Sequence, residues 1–153
     1  NQKLNIPEEH PVLTDAHIDT IRDAIISAAG LALEAGFDGV DIKACHRYLN
    51  CELLSAYERK GKYGGSFENR TRLLRESILG AMEVTDKDFI VSSRMNVYDG
   101  FPYPYGFGVR EGAVGNPLEG NGKLHEINAD LTKLSGGHRR ICNGKGRGPI
   151  HYQ

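Results

Sequence analysis

The chain has 153 residues, a net charge of −1 and 39% apolar residues, the size and balance of one globular domain. No apolar run approaches the roughly 20 residues of a membrane-spanning helix, and the opening Asn1-Gln2-Lys3-Leu4-Asn5 lacks the apolar centre of a secretory signal. Near-neutral charge argues against a nucleic-acid partner, and Cys45, Cys51 and Cys142, without C-x-x-C spacing, fit reduced thiols in a cytoplasmic protein and no metal site. The chain opens without Met, as expected if it starts partway through a longer protein.

Residues 1–13 read as a loop, with Pro7 and Pro11 opposing regular structure. Thr14 is a good N-cap, with Asp15 in the positive first turn behind it. Ile18, Ile21, Ile25, Ala28 and Ala32 recur at helical spacing; Gly36 supplies a left-handed stop, and Phe37 can fold back on the last turn. Residues 38–43 follow as a strand, with Val40 and Ile42 on one side and Asp41 and Lys43 on the other. An Asp/Lys face on a strand among helices implies an internal salt bridge, a polar barrel interior, or both.

A helical turn is expected at 52–57, then a loop at 60–66 containing Tyr63-Gly64-Gly65. Ser66 caps a helix over 67–82 with Leu74, Ile78 and Met82 on one stripe. After the turn Asp86-Lys87-Asp88, residues 89–94 form a second strand, with Arg94, Ser92 and Ile90 sharing a face. Helix, strand, helix, strand with short connections is the rhythm of parallel α/β architecture. Beyond it lies an aromatic loop at 96–110, either a lid or a packed surface loop. A further helix is expected around Leu124, Ile127, Leu131 and Leu134, stopped by Gly136-Gly137. The domain is drawn as 1–135, with a glycine-rich basic tail at 136–153.

Lys43, His46 and Tyr48 crowd the carboxyl end of the first strand, where parallel α/β folds bind ligands. The bland alternative is a Lys43–Asp41 pair with His46 and Tyr48 as ordinary loop residues. For Arg94 the alternatives are a ligand contact or a carboxylate partner within the sheet. Asp99 fits a solvated loop acid better than a partner for His46. Asn69 and Arg70 fit structural roles between loop and helix, and Glu68 suits the positive helix start. His10, His17, His125, His138 and His151 show no ligand spacing.

Three segments, GFDGVDIKACHRYL, YGGSFENRTRLL and FIVSSRMN, closely resemble the old yellow enzyme family of FMN-dependent oxidoreductases, in its order and spacing. The resemblance covers residues 14–108. It implies an α/β fold: part of a (β/α)8 TIM barrel around its fourth and fifth strands, parallel strands with flanking helices. It also implies FMN as cofactor, NADH or NADPH as reductant and a small-molecule acceptor such as an activated alkene. By position, Lys43 and His46 would hold the acceptor, Tyr48 would protonate it, and Arg94 would approach the flavin pyrimidine ring. Fixed donors at an oxygen that gains charge can each be worth roughly 3–4 kcal/mol. A phenol is a neutral proton source at pH 7, and a guanidinium suits an anionic flavin.

The chain departs from the family's pattern where Lys43 replaces an imidazole or phenol and Arg47 replaces a usual Gly. It is also short of the roughly 250 residues of a complete barrel. A central fragment is therefore expected, with weak or absent FMN binding in isolation. The competing expectation is a non-catalytic barrel remnant whose open sheet edges make it a homo-oligomer or a partner-binding module.

Overall fold

The structure is a computed structural model, and it describes residues 11–96, 99, 101 and 103–108. The expected domain boundary at 135, the helix around 124–134, the tail at 136–153, Cys142, His10, His125, His138 and His151 lie outside the described residues. The elements are α1 (Asp15–Glu34), β1 (Gly39–Asp41), α2 (Leu49–Leu54), α3 (Phe67–Arg70), α4 (Arg72–Val84) and β2 (Ile90–Ser92). Among the described residues no helix is long and apolar enough to cross a membrane.

Helix α1 starts where its cap chemistry dictates. The Thr14 hydroxyl accepts from the His17 amide at 3.2 Å, and His17 Nδ1 accepts from the Thr14 amide, closing a capping box. At the far end Gly36 takes φ 80 and the Phe37 amide returns to the Ala32 carbonyl at 3.0 Å. Two expectations are corrected here. Ala29, not Ala28, carries the buried face, because Ile25, Ala29, Ala32 and Leu33 follow the stripe that meets α4. The Phe37 ring stays 65% exposed: the backbone makes the stop without the ring packing on the last turn.

β1 and β2 pair in parallel, with Gly39 opposite Ile90, Val40 opposite Val91 and Asp41 opposite Ser92. The pairing extends past β1 through the Ile42 and Ala44 amides, which donate to the Ser92 and Arg94 carbonyls at 2.8 and 2.7 Å. Ile42, Ala44, Phe89 and Val91 are buried with Ala29, Leu74, Ile78 and Ala81 from α1 and α4, so one face of the strand pair is the core. Asp41, Ile90 and Arg94 lie exposed on the other. The strands approach so closely that a Cβ on Gly39 would strike the Ile90 carbonyl oxygen.

The expected helix over 67–82 is two helices. Thr71 separates α3 from α4, its hydroxyl bonding back to the Phe67 carbonyl at 2.9 Å while its backbone stays helical. The helical turn expected at 52–57 begins earlier, with Tyr48 as N-cap of α2. Ser66 caps α3 through the Asn69 amide, and Asp86 Oδ1 holds the turn before β2 by accepting from the Asp88 and Phe89 amides.

The Tyr63-Gly64-Gly65 loop is structural. Tyr63 is fully buried and its hydroxyl donates to Asp19 at 2.6 Å. Gly64 lies against the Arg59 backbone with no room for a Cβ, and Gly65 takes φ 78. Asp15 accepts from Arg59 at 2.8 Å and from the Lys62 amide at 2.9 Å, and Lys62 Nζ reaches Asp19, so the loop is fastened to the start of α1. Arg70 is buried, donates to the Gly65 and Leu54 carbonyls and lies over the Tyr57 ring. Asn69 reaches the Gly61 carbonyl, which agrees with the structural roles expected for both residues.

Candidate active site

The two strands deliver their polar residues to one end of the sheet. Beyond β1, the Lys43 carbonyl is held by Asn50 Nδ2 at 3.0 Å, so the chain leaves the sheet at a fixed place. The Lys43 ammonium lies over the Tyr48 ring, 3.8 Å from its centre. Such contacts are worth about 0.5–1 kcal/mol at exposed sites. Beyond β2, Arg94 Nε donates to Asp41 Oδ1 at 3.0 Å, and Ser92 Oγ donates to Asp41 Oδ2 at 3.3 Å. The Asp41 contact raises the Arg94 pKa further. The Asp41 partner is therefore Arg94, and no Lys43–Asp41 pair forms among the described residues.

His46 and Arg47 both enter the left-handed region, at φ 57 and φ 58. Each such residue costs roughly 1–2 kcal/mol when it carries a Cβ. The turn throws the imidazole into solvent, and His46 makes no hydrogen bond or ion pair among the described residues. Lys43 and Tyr48 are thus brought into contact, Arg94 stands on the neighbouring strand, and His46 joins none of the three directly.

Arg47 points away from these residues and fastens the loop after β2. Its guanidinium meets Glu52 at 2.7 Å, Asp99 at 3.2 Å and the Tyr105 carbonyl at 2.9 Å, with the Phe101 ring beneath it. Asp99 is buried, which corrects the expected solvated acid; it also accepts from Asn96 and from the Phe107 amide and makes no bond to His46 among the described residues. Cys51 packs against it with its Sγ 3.5 Å from Oδ1, and burial, ahead of the nearby carboxylate, pushes that thiol up to about 11.

Sequence reading missed Asn50 and the Arg47–Asp99 anchor. The usable signal was Arg47 itself, a cation where the family has a Gly, five residues before Glu52. Of the aromatic loop, Phe107 is buried with Leu54, and the Tyr57 and Tyr103 rings lie 5.0 Å apart. Phe101 and Tyr105 remain exposed. A shallow cleft of about 260 Å³ lies beside this loop, edged by Arg47, Glu52, Tyr57, Arg59 and Tyr105. Among the described residues no His, Cys, Asp or Glu cluster could hold a metal ion.

Parallel strands backed by helices on one face, with polar residues beyond their carboxyl ends on the other, make this a segment of a (β/α)8-barrel protein. It resembles the old yellow enzyme from Pichia sp. AKU4542 at a TM-score of 0.64 and 29% identity, over 87% of this chain and 33% of that one. Histamine dehydrogenase from Rhizobium sp. 4-9 is similar at a TM-score of 0.52 and 29% identity, over 60% of this chain and 14% of that one. The sequence pattern of the NADH:flavin oxidoreductase / NADH oxidase family matches residues 3–106, and the chain belongs to that family. A NADPH dehydrogenase of Geobacillus sp. is 36% identical over 113 residues, 72% of this chain and 31% of that protein. One from Bacillus subtilis is 48% identical over 66 residues, 42% of this chain and 20% of that protein. The chain thus spans about a third or less of the length of these relatives.

Proposed function

We propose that this chain carries part of the flavin and acceptor site of an FMN-dependent oxidoreductase that uses NADH or NADPH as reductant. The observation that supports it is the gathering of Lys43, Tyr48 and Arg94 beyond the carboxyl ends of two adjacent parallel strands. The residues suit FMN. Among the described residues Arg94 commits only Nε, to Asp41, so both Nη groups keep their donors for the polar pyrimidine edge, and its fixed charge favours negative charge there. When bound, FMN supplies hydride transfer between the reduced nicotinamide and an acceptor.

The chain's own residues then do three things. The Lys43 ammonium donates hydrogen bonds to the acceptor oxygen that gains charge, and the exposed His46 imidazole would have to turn inward from solvent to add a second donor. Tyr48 gives its phenolic proton to the alkene carbon next to the carbonyl, and solvent returns it. The Lys43 contact holds the phenol ring at the end of β1. In balance, one activated alkene, one reduced nicotinamide and one proton yield the saturated product and the oxidised nicotinamide.

FMN titration of the purified chain, followed by flavin fluorescence and visible absorbance, tests this reading. Weak, saturable binding is expected, reduced about tenfold or more in Arg94→Ala, the size of a lost charge-assisted bond. A chain that never takes up flavin and self-associates would overturn it. That outcome would favour a non-catalytic module, a reading supported by the outer edge of each strand, which pairs with no other strand among the described residues.

A further inference from the structure

The polar face beyond β1 and β2 carries an imbalance of charge. Asp41, the carboxylate that this face presents among the described residues, is already engaged: Oδ1 by Arg94 and Oδ2 by Ser92. Lys43 makes no ion pair among the described residues, and its ammonium rests on the Tyr48 ring, which contributes no compensating charge. Its carbonyl is held by Asn50 and its ammonium by the Tyr48 ring, so the charge is not on a freely swinging arm. Arg94 on the neighbouring strand is balanced by Asp41, which leaves Lys43 as the surplus charge among the described residues. An ammonium with three donors, resting on an aromatic face and with no carboxylate partner among the described residues, fits an anion better than a neutral carbonyl.

We infer that Lys43 is a specificity-determining residue, and that the acceptor it selects carries a full negative charge, such as a carboxylate conjugated to the reducible double bond. This rests on the oxidoreductase reading above in one respect only, the role of the bound anion as electron acceptor. The Lys43 ammonium pairs with the carboxylate, and the Tyr48 ring beneath it sets the position of that pair relative to the phenolic proton. A neutral acceptor of the same shape gives up the ionic part of this contact and pays to desolvate the ammonium.

An α,β-unsaturated carboxylate and its methyl ester, titrated separately into the full chain and followed by NMR, separate charge from shape. The acid is expected to bind about tenfold tighter than the ester. Lys43→Met is expected to remove the difference and Lys43→Arg to retain it, the latter also showing that the site tolerates substitution. Equal affinity for acid and ester, or a preference that survives in Lys43→Met, overturns the inference. NADPH consumption with FMN and each compound is measured in parallel. Acid-selective binding without consumption upholds anion selection by Lys43 and counts against the oxidoreductase reading; ester and acid consumed alike does the reverse.

Discussion

Arg47 Nη1 donates to Asp99 Oδ2 at 3.2 Å, and the Asp99 side chain is 1% exposed. This ion pair joins the turn after β1 to the loop after β2. Arg47→Gly would relieve a left-handed backbone by about 1 kcal/mol but leave the buried Asp99 without its cation; the roughly 3–5 kcal/mol of a fully buried pair is an upper bound here because Arg47 is 31% exposed. Asp99 keeps Asn96 and the Phe107 amide, so the net expectation is a loss of about 2 kcal/mol in urea unfolding. Arg47→Gly combined with Asp99→Asn should lose less than the sum of the single changes.

Acid should loosen the start of α1. The Arg59 guanidinium, then the Lys62 amide, hold the Asp15 carboxyl below its usual 3.8; Lys62, then the Tyr63 hydroxyl, do the same for Asp19. A carboxyl with a lowered folded pKa contributes stability above its unfolded value and loses it as pH falls through the folded one. Stability should therefore drop below pH 3.8, and Asp15→Asn with Asp19→Asn should flatten that limb in circular dichroism melts.

Cys51 should resist alkylation in the folded chain. Burial moves its thiol from 9.0 to about 11, so iodoacetamide at pH 8 should label it only after denaturation. A folded pKa raised in this way supplies stability below the unfolded value. That stability fades as pH rises from 9.0 through about 11, and Cys51→Ala should remove this part of the alkaline loss.

Tyr48→Phe should separate the two halves of the proposed reaction. The phenol lies at the end of β1 and is exposed, so its loss should leave flavin reduction by NADPH unchanged. Reoxidation by an activated alkene should slow by about 100-fold or more, the usual worth of a positioned acid. Stopped-flow flavin absorbance measures both halves, and equal slowing of the two would remove Tyr48 from the proton-transfer step.

Local signals carried the strand pair and most helix starts. Thr14 and Ser66 have side chains that satisfy the orphan amides of a first turn, and Gly36 takes a backbone angle that other residues resist. The alternation of Val40 and Ile42 against Asp41 and Lys43 reported which face meets helices. What local pattern could not supply was partner choice. Asp41 sits two residues from Lys43 yet pairs with Arg94, because parallel pairing in register brings the strand ends together. The buried state of Asp99 was hidden for the same reason: its partners Arg47 and Cys51 lie in a distant turn and helix. The Thr71 interruption escaped because the apolar stripe of Leu74, Ile78 and Met82 lies wholly beyond it, and Ser66 offered a single cap for the whole run.

The Asp41–Arg94 bond also bears on what this sheet does in concentrated solution. Two short strands whose outer edges meet no other strand among the described residues are a natural seed for fibre growth. Here an ionic pair spans the exposed surface of the ribbon, and an incoming layer would have to bury it dry. Stripping that pair, as in Asp41→Val with Arg94→Val, should raise the tendency of the chain to form stacked, insoluble aggregates.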